Sequence, residues 1–217
     1  MSKSEGPRYL VVEGPIGAGK TSLARRLAAH YGSDLVLEQA EENPFLGRYY
    51  RDPKRFALPV QLFFLFQRAR QIQDMRQDDL FNPVRVGDFL LDKDRLFAEL
   101  TLAPDELALY QQTFEHLAID ALQPDLVIYL QAPADVLLNR VRKRGIDYEQ
   151  FIEPGYLEKV AEAYTRFFHN YNASPLLIVN AKQINPVDRE ADFQQLLRAI
   201  ETARSGRHYF NPVPDLA

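Results

Sequence analysis

One stretch of the sequence has residue types and spacing that suit it to bind phosphate. Residues 14–21 read GPIGAGKT and fit the pattern G-x-x-x-x-G-K-[ST], between an apolar run and an amphipathic segment. In such a loop the backbone N–H groups approach the phosphates, the lysine adds positive charge, and the hydroxyl binds Mg²⁺. The stretch predicts a P-loop that binds ATP with Mg²⁺, rather than a glycine-rich turn with a surface lysine. Its predicted ATP contacts are Gly14, Gly17, Ala18, Gly19, Lys20 and Thr21.

Two carboxylates follow predicted strands. Asp88 is the last residue of the run PVRVGD, and Glu38 is the fifth residue of the run DLVLEQ, where the second predicted strand ends. In parallel α/β sheets ligands bind at the carboxyl ends of the strands, so both acids are expected near the phosphate site. Asp88 is the predicted partner of Thr21 in binding Mg²⁺, whereas Glu38 suits a hydroxyl group and would repel a phosphorylated acceptor. The alternative for each acid is a cap of the following helix or loop.

A nearly all-apolar helix is predicted to carry two polar side chains on one face. Gln61 interrupts the apolar run from Phe56 to Phe66, and Arg68 lies seven residues later, about two helical turns along. A buried amide needs a hydrogen-bond partner, and the edge of a purine base offers a donor and an acceptor. These two residues are therefore candidates for binding a base, the alternative being that both face solvent.

A basic segment further along is a candidate lid over the phosphates. Arg140 and Arg144 are four residues apart in NRVRKRGIDYEQ, and Gly145 follows them. Either the segment ends a helix with basic residues and a glycine cap, or an arginine from it closes over the transferred phosphoryl group. Arg144 is the residue expected to make that contact.

These side chains need a scaffold that brings them to one place. Five short aliphatic runs alternate with longer helical patterns, which predicts an α/β fold with a five-stranded parallel sheet flanked by helices. The predicted strands are YLVVEG, DLVLEQ, PVRVGD, DLVIYLQA and PLLIVNA. The predicted helices cover residues 20–31, 53–75, 92–102, 105–122, 134–144, 155–171 and 188–203. The tail, residues 205–217, contains prolines that block regular structure, so we expect it to be frayed or laid over the surface.

Composition limits the function. A chain of 217 residues with 46% apolar residues suffices for one domain, residues 1–217. The net charge of −4 argues against a nucleic-acid polymer as partner, and the absence of cysteine excludes thiolate chemistry. No apolar run approaches the ~18 residues of a membrane span, and the first ten residues lack the apolar core of a signal peptide. We expect a soluble cytoplasmic protein without membrane partners.

Taken together and in this order, several segments resemble the deoxynucleoside kinase family, and most closely its bacterial deoxyadenosine and deoxyguanosine kinases. The resemblance extends from Val11 to about Val179. The matching segments are EGPIGAGKTSL, NPFL after Glu38, YYRDPKRFALPVQLFFLFQR, GDFLLDKDRLFA and RKRGIDYEQFIEPGYLEKV. The resemblance implies a fold of the P-loop kinase type with a mobile lid at about residues 140–155. It also implies a homodimer formed through the helices after the second and third strands.

The resemblance implies ATP-dependent phosphorylation of the 5′-hydroxyl of a purine deoxynucleoside, deoxyadenosine and/or deoxyguanosine, in nucleotide salvage. The resemblance assigns Asp88 as the base, with Lys20 and Arg144 as charge-stabilising residues. Tyr50 and Glu149 match the pair that binds the sugar 3′-hydroxyl. The positions implied to contact the base are Gln61, Arg68, Phe97 as a stacking ring, and Asp94, with Asp92 as the alternative acid.

The sequence departs from the family pattern at two positions. Ile146 stands where the lid often has a second arginine, and Phe89 follows Asp88 where animal members have an arginine. Lys93 or Arg95 is expected to compensate. Two rival functions remain open at this point: a nucleoside monophosphate kinase of the thymidylate kinase type, and a regulator that binds ATP without transferring phosphate.

Overall fold

The computed structural model describes residues 9–77, 84–117 and 119–211, in which a parallel sheet is flanked by helices on both faces. Six strands occur in the order β2-β3-β1-β4-β5-β6, and every neighbouring pair is parallel. The strands are β1 Tyr9–Glu13, β2 Asp34–Val36, β3 Arg85–Gly87, β4 Leu126–Gln131, β5 Leu176–Asn180 and β6 Arg207–Phe210. The predicted α/β fold and all five predicted strands are confirmed.

Eight α-helices connect or flank the strands in these ranges. They are α1 Lys20–Tyr31, α2 Leu46–Tyr49, α3 Pro53–Gln77, α4 Lys93–Thr101, α5 Pro104–Leu117, α6 Ala134–Arg144, α7 Pro154–Asn170 and α8 Glu190–Thr202. Local signals set several of their ends. The left-handed Gly32 and Gly145 terminate α1 and α6, and Pro154 occupies the first turn of α7, where its missing N–H costs nothing.

The hydrophobic core lies on the two faces of the sheet because alternate strand residues point in opposite directions. Leu10 and Val12 of β1 join a cluster with α1, α6 and α8, whereas Val11 between them joins a second cluster with α4 and α7. All three of these β1 side chains are fully buried. The central strand is therefore covered on both sides, and polar side chains reach solvent or ligand only at its ends.

The prediction for the C-terminal tail was wrong in part. Residues Arg207–Phe210 form β6, which pairs in parallel with β5 at the edge of the sheet and raises the strand count from five to six. The prolines that suggested an irregular tail lie after this strand. Residues 212–217 of the predicted tail lie outside the described residues.

Two helix predictions also needed correction. The short helix α2 was not predicted, and α5 ends at Leu117 rather than at residue 122. Residues 119–124 are irregular and lead into β4, in keeping with Pro124, which disfavours helix in the residue before it. Within the described ranges, no helix combines the length and the apolarity that crossing a membrane requires.

Candidate active site

Acidic side chains and the P-loop follow three neighbouring strands at one edge of the sheet. The P-loop follows Glu13 at the end of β1, Asp88 follows β3, and Glu38 comes two residues after β2. Because β2, β3 and β1 are adjacent and parallel, their carboxyl ends meet at this edge. The sheet order thus brings together residues that are up to 75 positions apart in the sequence.

The P-loop has the backbone conformation that its glycines predict. Gly17 has a φ of 84°, and a Cβ added there would lie 2.7 Å from the carbonyl oxygen of Leu137. Gly19 precedes α1 in the left-handed conformation with a φ of 97°. Both positions therefore require glycine, and α1 starts directly at Lys20 with its N-terminus free of side-chain caps.

Asp88 links the P-loop to the acceptor side of the site. The Thr21 hydroxyl donates to Asp88 Oδ2 at 2.5 Å, and the backbone N–H of Glu38 donates to Asp88 Oδ1 at 2.6 Å. The Asp88 side chain is buried, so both of its oxygens are held in fixed positions. A carboxylate and a hydroxyl oxygen in contact form the kind of partial ligand set that Mg²⁺ takes when phosphates supply further oxygens.

Glu38 is an ionised acid between two cations. Arg68 contacts its Oε1, and the Lys93 ammonium lies 2.9 Å from its Oε2. Burial alone would raise the pKa of Glu38, but Lys93, Arg68 and Lys20 together hold that pKa well below its ordinary value. Burial and the nearby charge of Lys93 in turn lower the pKa of Lys20, whose Nζ lies 3.3 Å from the Pro15 carbonyl oxygen.

Glu13 is a site residue that the sequence interpretation missed. Its carboxylate is fully buried and accepts hydrogen bonds from the N–H groups of Gly14 at 2.9 Å and Leu90 at 2.8 Å. The hydroxyl of Tyr164 donates to it at 3.1 Å, and burial together with Glu13 raises the pKa of Tyr164 well above its ordinary value. A charged residue at the end of an apolar strand was the available signal, the same signal that singled out Asp88.

A small cavity beside the P-loop gathers most of the residues predicted to bind the acceptor. Its volume is about 90 Å³, and it lies between Lys20 on one side and α3, α4 and α7 on the other. Five predicted acceptor residues line it: Glu38, Tyr50, Gln61, Arg68 and Phe97. Leu46, Tyr49, Tyr156 and Tyr164, which were not predicted, line it as well.

The part of the cavity predicted to contact a base is built from α3 and α4. Gln61 is buried, with its Nε2 3.4 Å from the Thr101 hydroxyl, which itself donates to the Phe97 carbonyl. The Phe97 ring is half-buried and packs edge-on against Tyr164 at 6.0 Å between ring centres. The alternative that Gln61 and Arg68 both face solvent is therefore wrong.

The helix phase of α4 resolves which of its charged residues face the site. Asp94 is buried and forms an ion pair with Arg68, whereas Asp92 is exposed. Lys93 is also buried, while Arg95 is exposed with its guanidinium 5.5 Å from the ring centre of Phe114. Of these four side chains, Lys93 lines the cavity and Asp94 is buried against the cavity residue Arg68, whereas Asp92 and Arg95 face solvent.

The candidate lid contains an ion pair between two predicted site residues. Arg144 donates from Nε to Glu149 Oε2 at 3.1 Å and from Nη2 to Glu149 Oε1 at 2.5 Å, a two-point contact. Tyr50, whose pKa is raised by burial and by the nearby Glu149, stacks on Tyr148 at 6.1 Å between ring centres. Arg144 borders the groove that also contains Thr21 and Glu38.

A larger cleft lies on the other side of the P-loop. It has a volume of about 470 Å³, and its lining includes Ala18, Gly19, Arg140 and the segment that follows β5. Arg140 donates to the carbonyl oxygens of Ala18 at 3.3 Å and Ala181 at 2.6 Å, and burial lowers its pKa. Arg140 therefore joins the P-loop to the loop after β5.

Known proteins are similar to this chain in architecture and in part of the sequence. A family model described as deoxynucleoside kinase matches residues 10–204. Deoxyguanosine kinase of Bacillus subtilis is 37% identical over 158 residues, 72% of this chain and 76% of that protein. Deoxyadenosine kinase of Lactobacillus acidophilus is 32% identical over 208 residues, 89% of this chain and 95% of that protein. The structure of M. mycoides deoxyadenosine kinase with bound dATP has a TM-score of 0.78 and 22% identity, covering 90% of this chain and 100% of that one.

Proposed function

Because the chain belongs to the deoxynucleoside kinase family, we propose that it transfers the γ-phosphoryl group of ATP to the 5′-hydroxyl of a purine deoxynucleoside. As a member of this family, the chain is an enzyme, a deoxynucleoside kinase. The two rival functions, a nucleoside monophosphate kinase and an ATP-binding regulator, are not favoured. The observation that carries the proposal is the position of Asp88, whose carboxylate contacts the P-loop hydroxyl of Thr21 and the backbone of Glu38. One buried acid thus contacts both the P-loop, which is proposed to bind the phosphate donor, and Glu38, which is proposed to lie at the acceptor.

The charges of the small cavity suit an uncharged acceptor. The cations that line it are Lys20, Arg68 and Lys93. Arg68 is paired with Glu38 and Asp94, and Lys93 lies between Glu38 and Glu13. Lys20 belongs to the P-loop and is needed by the donor. No cation among these lining residues is left for the phosphate of an acceptor nucleotide, which supports a nucleoside over a nucleoside monophosphate.

For the base, we propose that Gln61, Arg68 and Asp94 bind the purine edge while Phe97 stacks on its face. The support is that Gln61, Arg68 and Phe97 line the cavity and that Asp94 pairs with Arg68. An amide, a guanidinium and a carboxylate together donate and accept hydrogen bonds. Two relatives are named for deoxyguanosine and deoxyadenosine. For the sugar, Tyr50 and Glu149 are proposed to bind the 3′-hydroxyl, supported by the proximity of the two groups.

The proposed reaction is an in-line transfer. The 5′-oxygen forms a bond to the γ-phosphorus, the bond from that phosphorus to the β,γ-bridging oxygen breaks, and ADP leaves. Asp88 orients the 5′-hydroxyl and accepts its proton, while Lys20 and Arg144 stabilise the negative charge on the transferred group. The P-loop N–H groups and the N-terminus of α1 hold the phosphates of ATP, and Arg140 shapes the cleft beside them.

Thr21 and Asp88 are the proposed ligands of Mg²⁺. Their oxygens are in contact, and in the described part of the chain no cluster of three or more His, Cys, Asp or Glu side chains offers a different metal site. Mg²⁺ commonly uses one or two protein oxygens and completes its shell with phosphate oxygens and water. When bound, the ion supplies positive charge that neutralises the β and γ phosphates.

We propose that the enzyme is a homodimer and that residues 1–217 form its single domain, with a lid at residues 140–155. The large apolar side chains of Phe66 on α3 and Leu109 on α5 are 52% and 50% exposed, although the two helices pack together. These two exposed side chains are the support for placing the interface on α3 and α5. The cytoplasm, where deoxynucleosides are salvaged with ATP, is the proposed location.

Light scattering after size exclusion tests the dimer. Wild type is expected at twice the mass of one chain, and the double variant Phe66→Glu/Leu109→Glu at the mass of one chain, because burying two carboxylates at an interface is costly. Tyr209→Glu is the matched control, since Tyr209 is 66% exposed at the other edge of the molecule. A monomeric wild type, or a dimer that persists in the double variant, would contradict the proposal.

The proposed activity is tested by product identification. Purified protein with Mg²⁺ and ATP is given each deoxynucleoside, and separately each deoxynucleoside 5′-monophosphate, and the products are measured by mass. We expect monophosphates from deoxyadenosine or deoxyguanosine, with slower or no conversion of thymidine. Diphosphates formed only from the monophosphates would instead indicate a nucleotide kinase, and ATP binding without any product would indicate a regulator.

A further inference from the structure

Lys93 is a buried lysine to which the proposed reaction assigns no task. It is the first residue of α4, it is 3% exposed, and its ammonium lies 2.9 Å from Glu38 Oε2 and 3.4 Å from Glu13 Oε1. Lysine is among the residues least often buried, and a buried ammonium is tolerated only when it is paired. Its burial between two carboxylates at the phosphate site therefore calls for an explanation.

The contacts of Lys93 connect the acceptor cavity to the P-loop. On one side it holds Glu38, whose backbone N–H donates to Asp88. On the other side it approaches Glu13, whose carboxylate accepts the N–H of Gly14, the first residue of the P-loop. Displacing Lys93 would free one oxygen of Glu38 and remove the link between the acceptor-side acid and the strand that carries the loop.

Arg68 does not provide the same link. Arg68 pairs with the other oxygen of Glu38 and with Asp94, so its contacts lie on the α3 and α4 side of the cavity. Phe89, the residue after Asp88, is buried and uncharged. Arg95, one helical step from Asp94, is exposed beside Phe114. Among the residues that the structure describes, Lys93 is therefore the cation that forms ion pairs with both Glu38 and Glu13.

We propose that Lys93 is a positioning residue for phosphoryl transfer, which fixes the Glu38 carboxylate in the acceptor cavity relative to the P-loop. The inference rests on the proposed function, because Glu38 matters here as a group that meets the acceptor hydroxyl. An ammonium fixed by two carboxylates can hold Glu38 in one orientation, and misplacement of a positioning group by about 1 Å costs about 10²-fold in rate. Lys93 acts through Glu38 and not by taking the proton.

The test compares steady-state kinetics of Lys93→Met, Lys93→Arg and Arg95→Met. In Lys93→Met, kcat/KM for the deoxynucleoside is expected to fall about 10²-fold, with both a lower kcat and a higher KM for the acceptor. The KM for ATP is expected to change less than about threefold, because the P-loop is intact. Lys93→Arg restores most of the activity since it keeps the charge, and Arg95→Met behaves as wild type.

The double variant Lys93→Met/Glu38→Gln tests the proposal even if Lys93→Met alone does not fold. It removes both members of the ion pair between Lys93 and Glu38. If Lys93 acts through Glu38, the double variant matches Glu38→Gln alone within about threefold, as expected for residues that act as a unit. A further loss of tenfold or more would overturn the proposal. So would wild-type kinetics in a folded Lys93→Met, or an equal loss in Arg95→Met.

Failure of this inference is distinguishable from failure of the proposed function. If wild type phosphorylates no deoxynucleoside, the proposed function fails before any variant is compared. If wild type is active and Lys93→Met is equally active, only the role of Lys93 fails.

Discussion

Asp88→Asn is expected to lower kcat about 10³-fold while the protein remains folded. Asparagine has nearly the same shape and keeps one oxygen, which accepts the Glu38 backbone N–H while its amide donates to the Thr21 hydroxyl oxygen, but it cannot take the 5′-hydroxyl proton. Removing a general base typically costs about 10²- to 10⁴-fold, and weakening a Mg²⁺ ligand adds to the loss. Asp88→Ala is expected to lose at least as much. Initial rates of deoxynucleotide formation at saturating ATP measure the effect, and a circular dichroism melt checks folding.

The matched control for Asp88→Asn is Asp92→Asn. Asp92 lies in the same connection between β3 and α4, but it is exposed and its side chain makes no capping hydrogen bond to α4. This variant is expected to keep wild-type turnover, which separates loss of the base from a general effect of removing negative charge near the site. Turnover of Asp88→Asn within tenfold of wild type would remove Asp88 from the mechanism.

Arg144→Ala is expected to lower kcat about 10²- to 10³-fold, the usual cost of removing one group that stabilises transition-state charge. In the structure the guanidinium makes its two-point contact with Glu149, and its side chain is 47% exposed. We therefore expect Arg144 to exchange Glu149 for the phosphates when both substrates bind. If Glu149 then binds the sugar, Glu149→Gln raises the KM for the deoxynucleoside more than it lowers kcat.

Arg142→Ala provides the control for Arg144→Ala. Arg142 lies in the same last turn of α6 and is exposed, so its loss changes the charge of the turn without removing the contact to Glu149. Pre-steady-state measurement of the chemical step in both variants distinguishes transfer from product release. Equal rates for Arg142→Ala and Arg144→Ala would contradict a specific role for Arg144.

The sequence was most informative where a function is encoded by contiguous residues. The P-loop pattern spans eight successive positions and specifies four of them, residues 14, 19, 20 and 21, and the glycines at 17 and 19 adopt left-handed conformations. The strand runs were equally clear, because strands buried on both faces read as continuous aliphatic segments. Helix ends were close to their observed bounds where a glycine or proline marks them, as at Gly32, Gly145 and Pro154.

The sequence was less informative about two short elements, β6 and α2. Four residues, Arg207–Phe210, are too few to reveal a strand by periodicity, and β6 exists because its backbone pairs with β5 across the sheet edge. The short α2 lies in a loop whose apolar side chains pack against α3. Both elements depend on partners that are distant in sequence, which local patterns do not describe.

By itself, then, the sequence determined the fold class, the phosphate loop and the family, because each is encoded by local and ordered patterns. The tertiary structure decided which charges meet. Neighbouring residues on a helix point about 100° apart, so a one-residue ambiguity in α4 changes which side chain faces the cavity. Packing resolves it: Lys93 and Asp94 are buried against Glu38 and Arg68, while Asp92 and Arg95 face solvent. The structure also shows what Glu13 contacts, because its carboxylate accepts the N–H groups of Gly14 and Leu90.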